Sequence, residues 1–201
     1  MLVVEALLSI VAPPRCAACD ARVPLLRAFC APCASSVERA APGAGAPFEY
    51  GGALARAIGR FKYEDRPDLG RPLGALLAQA APAAPVDMVV PVPMHPRRLA
   101  ERGYNHAALL ARPVAARLGA RFGATALART RDGERQAKLS KDSRHANVAG
   151  AFAAASAQLR GRRVLIVDDV RTTGATLGAC AAAAKDAGAL HVSTLVLAVA
   201  T

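Results

Sequence analysis

The sequence predicts an α/β fold, a mostly parallel sheet flanked by helices, with a small cysteine-bearing module at the N-terminus. Three observations carry that expectation. Short aliphatic runs of strand length, such as VLIV at 164–167 and MVV at 88–90, alternate with longer segments of helical period. That is the pattern of parallel strands buried on both faces by crossover helices. Four cysteines fall in two CxxC pairs between Cys16 and Cys33. A chain of 201 residues, 53% of them hydrophobic, suffices for one substantial core and a small appendage.

Taken in order, residues 1–12, MLVVEALLSIVA, are apolar but contain Glu5, lack a basic leader and are too short to span a bilayer. They read as a packing helix of a cytoplasmic chain with no membrane insertion; a signal peptide is the alternative. Cys16, Cys19, Cys30 and Cys33 then supply four thiolates. The two-residue spacing lets both sulfurs of a pair meet one tetrahedral ion, and four Cys leave no open position, so the expectation is a structural Zn²⁺. Two disulfides are the alternative, disfavoured in a cytosolic chain with five cysteines. The fifth, Cys180, lies in an Ala-rich segment and reads as a buried packing thiol. A helix over 31–40 and the PGAGAP run at 42–47 close the module. The expected division is 1–45, an N-terminal helix with the four-cysteine zinc module, and 46–201, the α/β domain.

In the second part, 48–52 suits a short strand, and Leu54, Ile58 and Phe61 mark one face of a helix ending at Lys62 and Tyr63. A second helix over 67–80 stops before Pro82 and Pro85. Residues 87–93 read as a buried strand closed by proline, leading into a loop of Met94, His95, Pro96, Arg97 and Arg98. Asn105 is an N-cap for a helix with Ala107, Leu110, Val114 and Leu118 on one face. Residues 129–152 are polar and basic with no clean period, and a loop of that length in a compact domain is usually functional or mobile. A helix over 174–187, Gly188 just past its end and a final strand over 191–200 complete the chain.

The chemistry concentrates at 164–176, VLIVDDVRTTGAT: a buried strand, two adjacent carboxylates, a hydroxyl-rich turn, then a helix. A turn opening a helix presents free backbone N–H groups to an anion, and Thr hydroxyls add donors without bulk. Carboxylates at the carboxyl end of a strand can accept hydrogen bonds from the vicinal hydroxyls of a sugar. Together they describe a seat for ribose 5-phosphate. This stretch resembles the phosphoribosyl pyrophosphate (PRPP) signature of type I phosphoribosyltransferases. The order Arg102-Gly103-Tyr104-Asn105 after a proline-flanked strand, the residues Gln136, Leu139, Arg144, Asn147 and Phe152, and the cysteine pairs narrow the resemblance to the ComF family, competence-protein-F-like members of that superfamily with an N-terminal double zinc ribbon. Members typically carry Gln where this chain has His106.

The resemblance implies a type I phosphoribosyltransferase fold that binds PRPP with Mg²⁺. In that reading Asp168 and Asp169 hold the ribose hydroxyls at the catalytic centre, and Val170, Arg171, Thr172, Thr173, Gly174, Ala175 and Thr176 form the 5-phosphate loop. Arg97 and Arg102 help hold pyrophosphate, Lys62 falls where a basic residue approaches PRPP, and 129–152 is a flap over the bound donor. The family also implies an association with natural competence and single-stranded DNA uptake. Net charge is +11, and residues 97–144 hold 12 Lys/Arg against 4 acids, which suits pyrophosphate or a nucleic-acid backbone. With aromatic residues at 4%, any DNA contact should be largely electrostatic. Three functions follow: a phosphoribosyltransferase, a non-catalytic nucleic-acid-binding accessory protein, or a PRPP sensor without turnover.

Overall fold

The computed structural model describes residues 13–25, 27–130 and 150–200. The helix expected over 1–12 and the greater part of the expected flap, residues 131–149, lie outside the described residues. Within them the strands are β1 (Phe48–Glu49), β2 (Met88–Pro91), β3 (Arg121–Phe122), β4 (Leu127–Arg129), β5 (Phe152–Ala154), β6 (Arg163–Arg171) and β7 (His191–Val199). The α-helices are α1 (Ala31–Ala34), α2 (Gly52–Tyr63), α3 (Gly70–Ala78), α4 (Pro96–Arg102), α5 (His106–Leu118) and α6 (Ala175–Asp186).

Five strands form one sheet in the order β1-β7-β6-β2-β3, and every neighbouring pair in it is parallel. The pleat of β6 explains why an unbroken aliphatic run was needed. Leu165 and Val167 pack with Leu54, Ile58 and Phe61 of α2, Leu73 and Leu77 of α3, and Leu110 and Val114 of α5. Val164 and Ile166 point the other way, into a core with Leu177, Cys180 and Ala184 of α6. Alternate residues therefore serve opposite layers, and both layers are covered. Cys180 is fully buried, as a packing thiol should be, and burial pushes its thiol up to about 12.

Two close approaches fix the first layer. Pro113 inside α5 cannot donate to the Leu109 carbonyl, and Gly74 of α3 packs there: an added Cβ would lie 2.8 Å from Pro113 Cγ and 3.3 Å from the Leu109 oxygen. At the start of the sheet Asp87 accepts from Arg163 Nε at 2.9 Å and from the Arg163 backbone N–H at 2.7 Å. This clamp sets the β2–β6 register, and the Arg163 guanidinium holds the Asp87 carboxyl below the usual carboxylate range.

Several elements differ from expectation. The helix expected over 31–40 stops at Ala34, because residues 38–40 turn to pair with the chain ahead of the sheet: Glu49 N–H donates to Glu38 O and Ala40 N–H to Pro47 O. The expected loop 94–98 instead opens α4, with Pro96 in its first turn and the His95 ring capping it by accepting from the Arg97 N–H at 3.3 Å. The segment 129–152 is flanked by an antiparallel pair, β4 with β5. No helix among the described residues is long and apolar enough to cross a membrane.

Candidate functional site

After β2 the chain moves to β3 on one side of the sheet, whereas β6 is followed by β7 on the other. The carboxyl ends of β2 and β6 therefore border a topological switch point, the place where parallel α/β sheets leave a crevice for ligands. Asp168 and Asp169 stand at the end of β6, and the loop to α6 follows directly.

That loop forms a small cavity of about 50 Å³, lined by Asp168, by 170–176 and by Leu177. A pocket this small, at a helix N-terminus and lined by Thr172, Thr173 and Thr176, suits a phosphoryl group rather than a ring. Gly174, with φ of 78°, makes the turn into the helix, and α6 starts without a side-chain cap. Its first N–H groups thus face the cavity with little competition: the Ala175 N–H reaches Thr173 Oγ1 at only 3.4 Å.

The two carboxylates are adjacent in sequence but point apart, as neighbours on a strand do. Asp168 lines the cavity, and its Oδ1 accepts the Asp169 N–H at 2.9 Å. Burial, then the charge of Asp169, push the Asp168 carboxyl up, while the Asp169 N–H, then Lys62 and Arg129 on β4, oppose the rise. Asp169 is 3% exposed and faces α2 and α5. Its Oδ1 meets Lys62 Nζ at 2.8 Å, and its Oδ2 lies 3.3 Å from His106 Nε2, out of line for a hydrogen bond, so that oxygen has no hydrogen-bond donor. Burial pulls the Lys62 amine down, but the charge and hydrogen bond of Asp169 outweigh it and the net shift is upward.

His106 continues the chain of contacts. Its Nδ1 is 3.2 Å from Arg102 NH1, and a guanidinium can only donate, which leaves the proton on Nε2, the nitrogen nearer Asp169. Burial lowers the imidazole pKa to about 4, with Lys62 and Arg102 acting in the same direction and Asp169 against, so the ring is neutral at pH 7. The Arg102 guanidinium also covers the Tyr63 ring, 5.6 Å from its centroid. Asn105 holds this corner together: its Oδ1 caps α5 by accepting from Ala107 and Ala108, and its Nδ2 donates to the Val92 carbonyl just past β2.

The structure thus brings Lys62, Arg102, Asp168, Asp169 and the 170–176 loop to one end of the sheet. Arg97 and Arg171 stand apart from this convergence. Arg97 is exposed and pairs with Glu101 on its own helix at 3.1 Å. The Arg171 guanidinium turns back to donate to the Ala44 carbonyl, pinning the 42–47 turn. His106 and Arg129 are additions that sequence reasoning did not place in the site. The position of His106 directly after the helix cap was the available signal, whereas Arg129 was hidden within a run of basic residues.

At the N-terminus the sulfurs of Cys16, Cys19, Cys30 and Cys33 all lie within 4.8 Å of one another. The Cys19–Cys30 separation is 3.7 Å, close to the edge of about 3.8 Å that four Zn–S bonds of about 2.3 Å would give a tetrahedron. All four are free thiols. The cluster could hold one metal ion, and its all-sulfur donor set suits zinc.

Residues 105–200 match the model of the phosphoribosyl transferase domain family, from the cap of α5 through β7. Over these residues the chain is similar to phosphoribosyl transferase domains. It is also homologous to proteins named for DNA handling. DNA utilization protein YhgH of Escherichia coli O6:H1 is 32% identical over 136 residues, 64% of this chain and 60% of that protein. Competence protein F of Haemophilus influenzae is 33% identical over 133 residues, 62% of this chain and 58% of that protein. The aligned part thus spans about three-fifths of these relatives' length. A solved structure of glutamine PRPP amidotransferase from B. subtilis aligns with 69% of this chain and 30% of that chain, at 24% identity and a TM-score of 0.49. The matched residues contain the whole 170–176 loop and His106, while Lys62, Arg102 and the cysteine cluster precede them.

Proposed function

We propose that this phosphoribosyl transferase domain binds PRPP at the carboxyl ends of β2 and β6, in a cytoplasmic protein that serves DNA uptake or utilization. The observation that carries the reading is the phosphoryl-sized cavity of the 172–176 backbone at the start of α6, with Asp168 on its wall. Thr172, Thr173, Gly174, Ala175 and Thr176 hold the 5-phosphate through N–H and hydroxyl donors. Asp168, on the cavity wall, accepts from a ribose hydroxyl; Asp169 Oδ2 has no donor but is buried, so Asp169 accepts one only when its side chain turns from α2 and α5. Lys62 and Arg102 offer positive charge toward pyrophosphate; Arg97 and Arg171 contribute less, since their guanidiniums are engaged elsewhere. Mg²⁺, when bound with PRPP, would supply positive charge beside the pyrophosphate. Loss of pyrophosphate leaves positive charge on the ribose ring, which the neighbouring carboxylates stabilise. Cys16, Cys19, Cys30 and Cys33 hold a structural Zn²⁺.

Thermal unfolding tests the binding. PRPP with Mg²⁺ at a hundred times its Kd should stabilise the chain by about 2.7 kcal/mol. Ribose 5-phosphate should do so more weakly, and a melting temperature insensitive to PRPP would remove the proposal. Pyrophosphate release in the presence of bases, amines and nucleic acid then separates an enzyme from a sensor. A nucleic-acid-binding accessory role is the second reading, favoured by the relatives' names and the net charge of +11.

A further inference from the structure

The four-cysteine module carries a charge arrangement that its own fold does not need. Arg15 and Arg22 face each other across an isolated antiparallel bridge, and both are exposed. Directly opposed residues project to the same side, where like charges repel and destabilise. The acid of this hairpin does not relieve them. Asp20 turns inward, held by Arg60 of α2 and by Arg66 at 3.1 Å. Arg15 donates from NH1 to the Asp20 carbonyl at 3.1 Å, which leaves its other N–H donors outward. Among the described residues, no carboxylate pairs with Arg22.

Beside the hairpin lies an open concavity of about 590 Å³ between the Cys19–Asp20 tip and α2, with the exposed Arg56 on its wall. The acids that line it, Asp20 and Glu64, are both paired with Arg60. Arg56 thus lines a depression whose acids are already paired, and the hairpin that carries Arg15 and Arg22 supplies its Cys19–Asp20 edge. We propose that this face of the four-cysteine module binds the phosphodiester backbone of single-stranded nucleic acid, with an unstacked nucleotide entering the concavity. The inference rests on the DNA-associated reading above and gives it a surface, apart from the 97–144 segment that holds 12 of the 26 Lys/Arg. Guanidinium forks match phosphate oxygens, and a volume of this size admits a nucleotide. A bilayer would ask for a broad apolar face, and among the described residues of this module the large apolar side chain exposed is Leu25.

The test is fluorescence anisotropy with a labelled oligo(dT) and the zinc-replete full chain, at 50 to 200 mM salt. For wild type, log K should fall linearly with log salt. Removing two phosphate contacts in R15Q/R22Q should flatten the slope by about 1.4, and R56Q by about 0.7. R112Q/R117Q on α5 should leave it unchanged. R15Q/R22Q should melt at or above the wild-type temperature, since it relieves a repulsion. An unchanged slope in R15Q/R22Q, equal flattening in R112Q/R117Q, or binding lost only together with the fold would each overturn the proposal. Loss of binding to phosphatidylserine vesicles with oligo(dT) affinity intact would overturn it in favour of a membrane. A wild-type chain that binds no oligo(dT) would remove the DNA-associated reading itself.

Discussion

Replacing Lys62 by Met isolates what the buried ion pair contributes. Lys62 Nζ lies 2.8 Å from Asp169 Oδ1, with the two side chains 22% and 4% exposed. Met keeps the apolar stem and removes the charge, stranding the carboxylate beside a neutral His106. Removing one partner of a buried pair costs about 3–5 kcal/mol, and the partial exposure of Lys62 places this case near 3 kcal/mol. Adding D169N removes the stranded charge, so K62M/D169N should recover about 2 kcal/mol of that loss. The pH dependence follows from the raised pKa of Lys62. A raised folded pKa gives stabilisation that is fully present below the unfolded value of 10.5 and fades as pH climbs through the folded one. Urea denaturation should therefore show a constant gap between wild type and K62M from pH 7 to 9, shrinking above about 10.5. A penalty below about 1 kcal/mol at pH 7.5, or a second substitution that deepens the loss, would refute the claim that this pair neutralises a buried charge.

Three further outcomes follow. G178A, at a helical position with open space, should raise stability to urea by about 0.5–1 kcal/mol, whereas G74A should lower it by about 1–2 kcal/mol because its methyl meets Pro113 and the Leu109 carbonyl. Purified protein should contain one zinc per chain by elemental analysis; C16S/C33S should lose the metal, and chelation should lower the melting temperature of wild type only. Burial and then the Asp169 charge raise the Asp168 carboxyl to about 7. PRPP–Mg²⁺ that favours the ionised form should bind more tightly as pH rises from 5.5 to 7 and level off above. Calorimetry should show that rise abolished in D168N.

What the sequence disclosed was whatever one side chain type settles locally. The aliphatic run 164–167 could only be a strand buried on both faces, and Asn105 could cap because its short amide reaches the N–H groups two and three residues on. The two cysteine pairs needed no more than their spacing. Other features depend on partners distant in the chain. β4 and β5 are three residues each, Ala-rich, and exist because they pair across more than twenty intervening residues. The 31–40 segment has helical composition throughout, yet the backbone of 38–40 is claimed by residues 47–49. Pro96 signalled the start of α4, but two prolines and a histidine in four residues looked like a loop. Neither the turn of Arg171 toward Ala44 nor the bridge that His106 makes between Arg102 and Asp169 has a local sequence signature.

Isothermal titration of PRPP with Mg²⁺ tests the PRPP seat at the end of β6 most directly. The wild-type chain should show saturable one-to-one binding, and D168N/D169N that melts as a folded protein should give no measurable heat of binding. Equal affinity in the two proteins would contradict it.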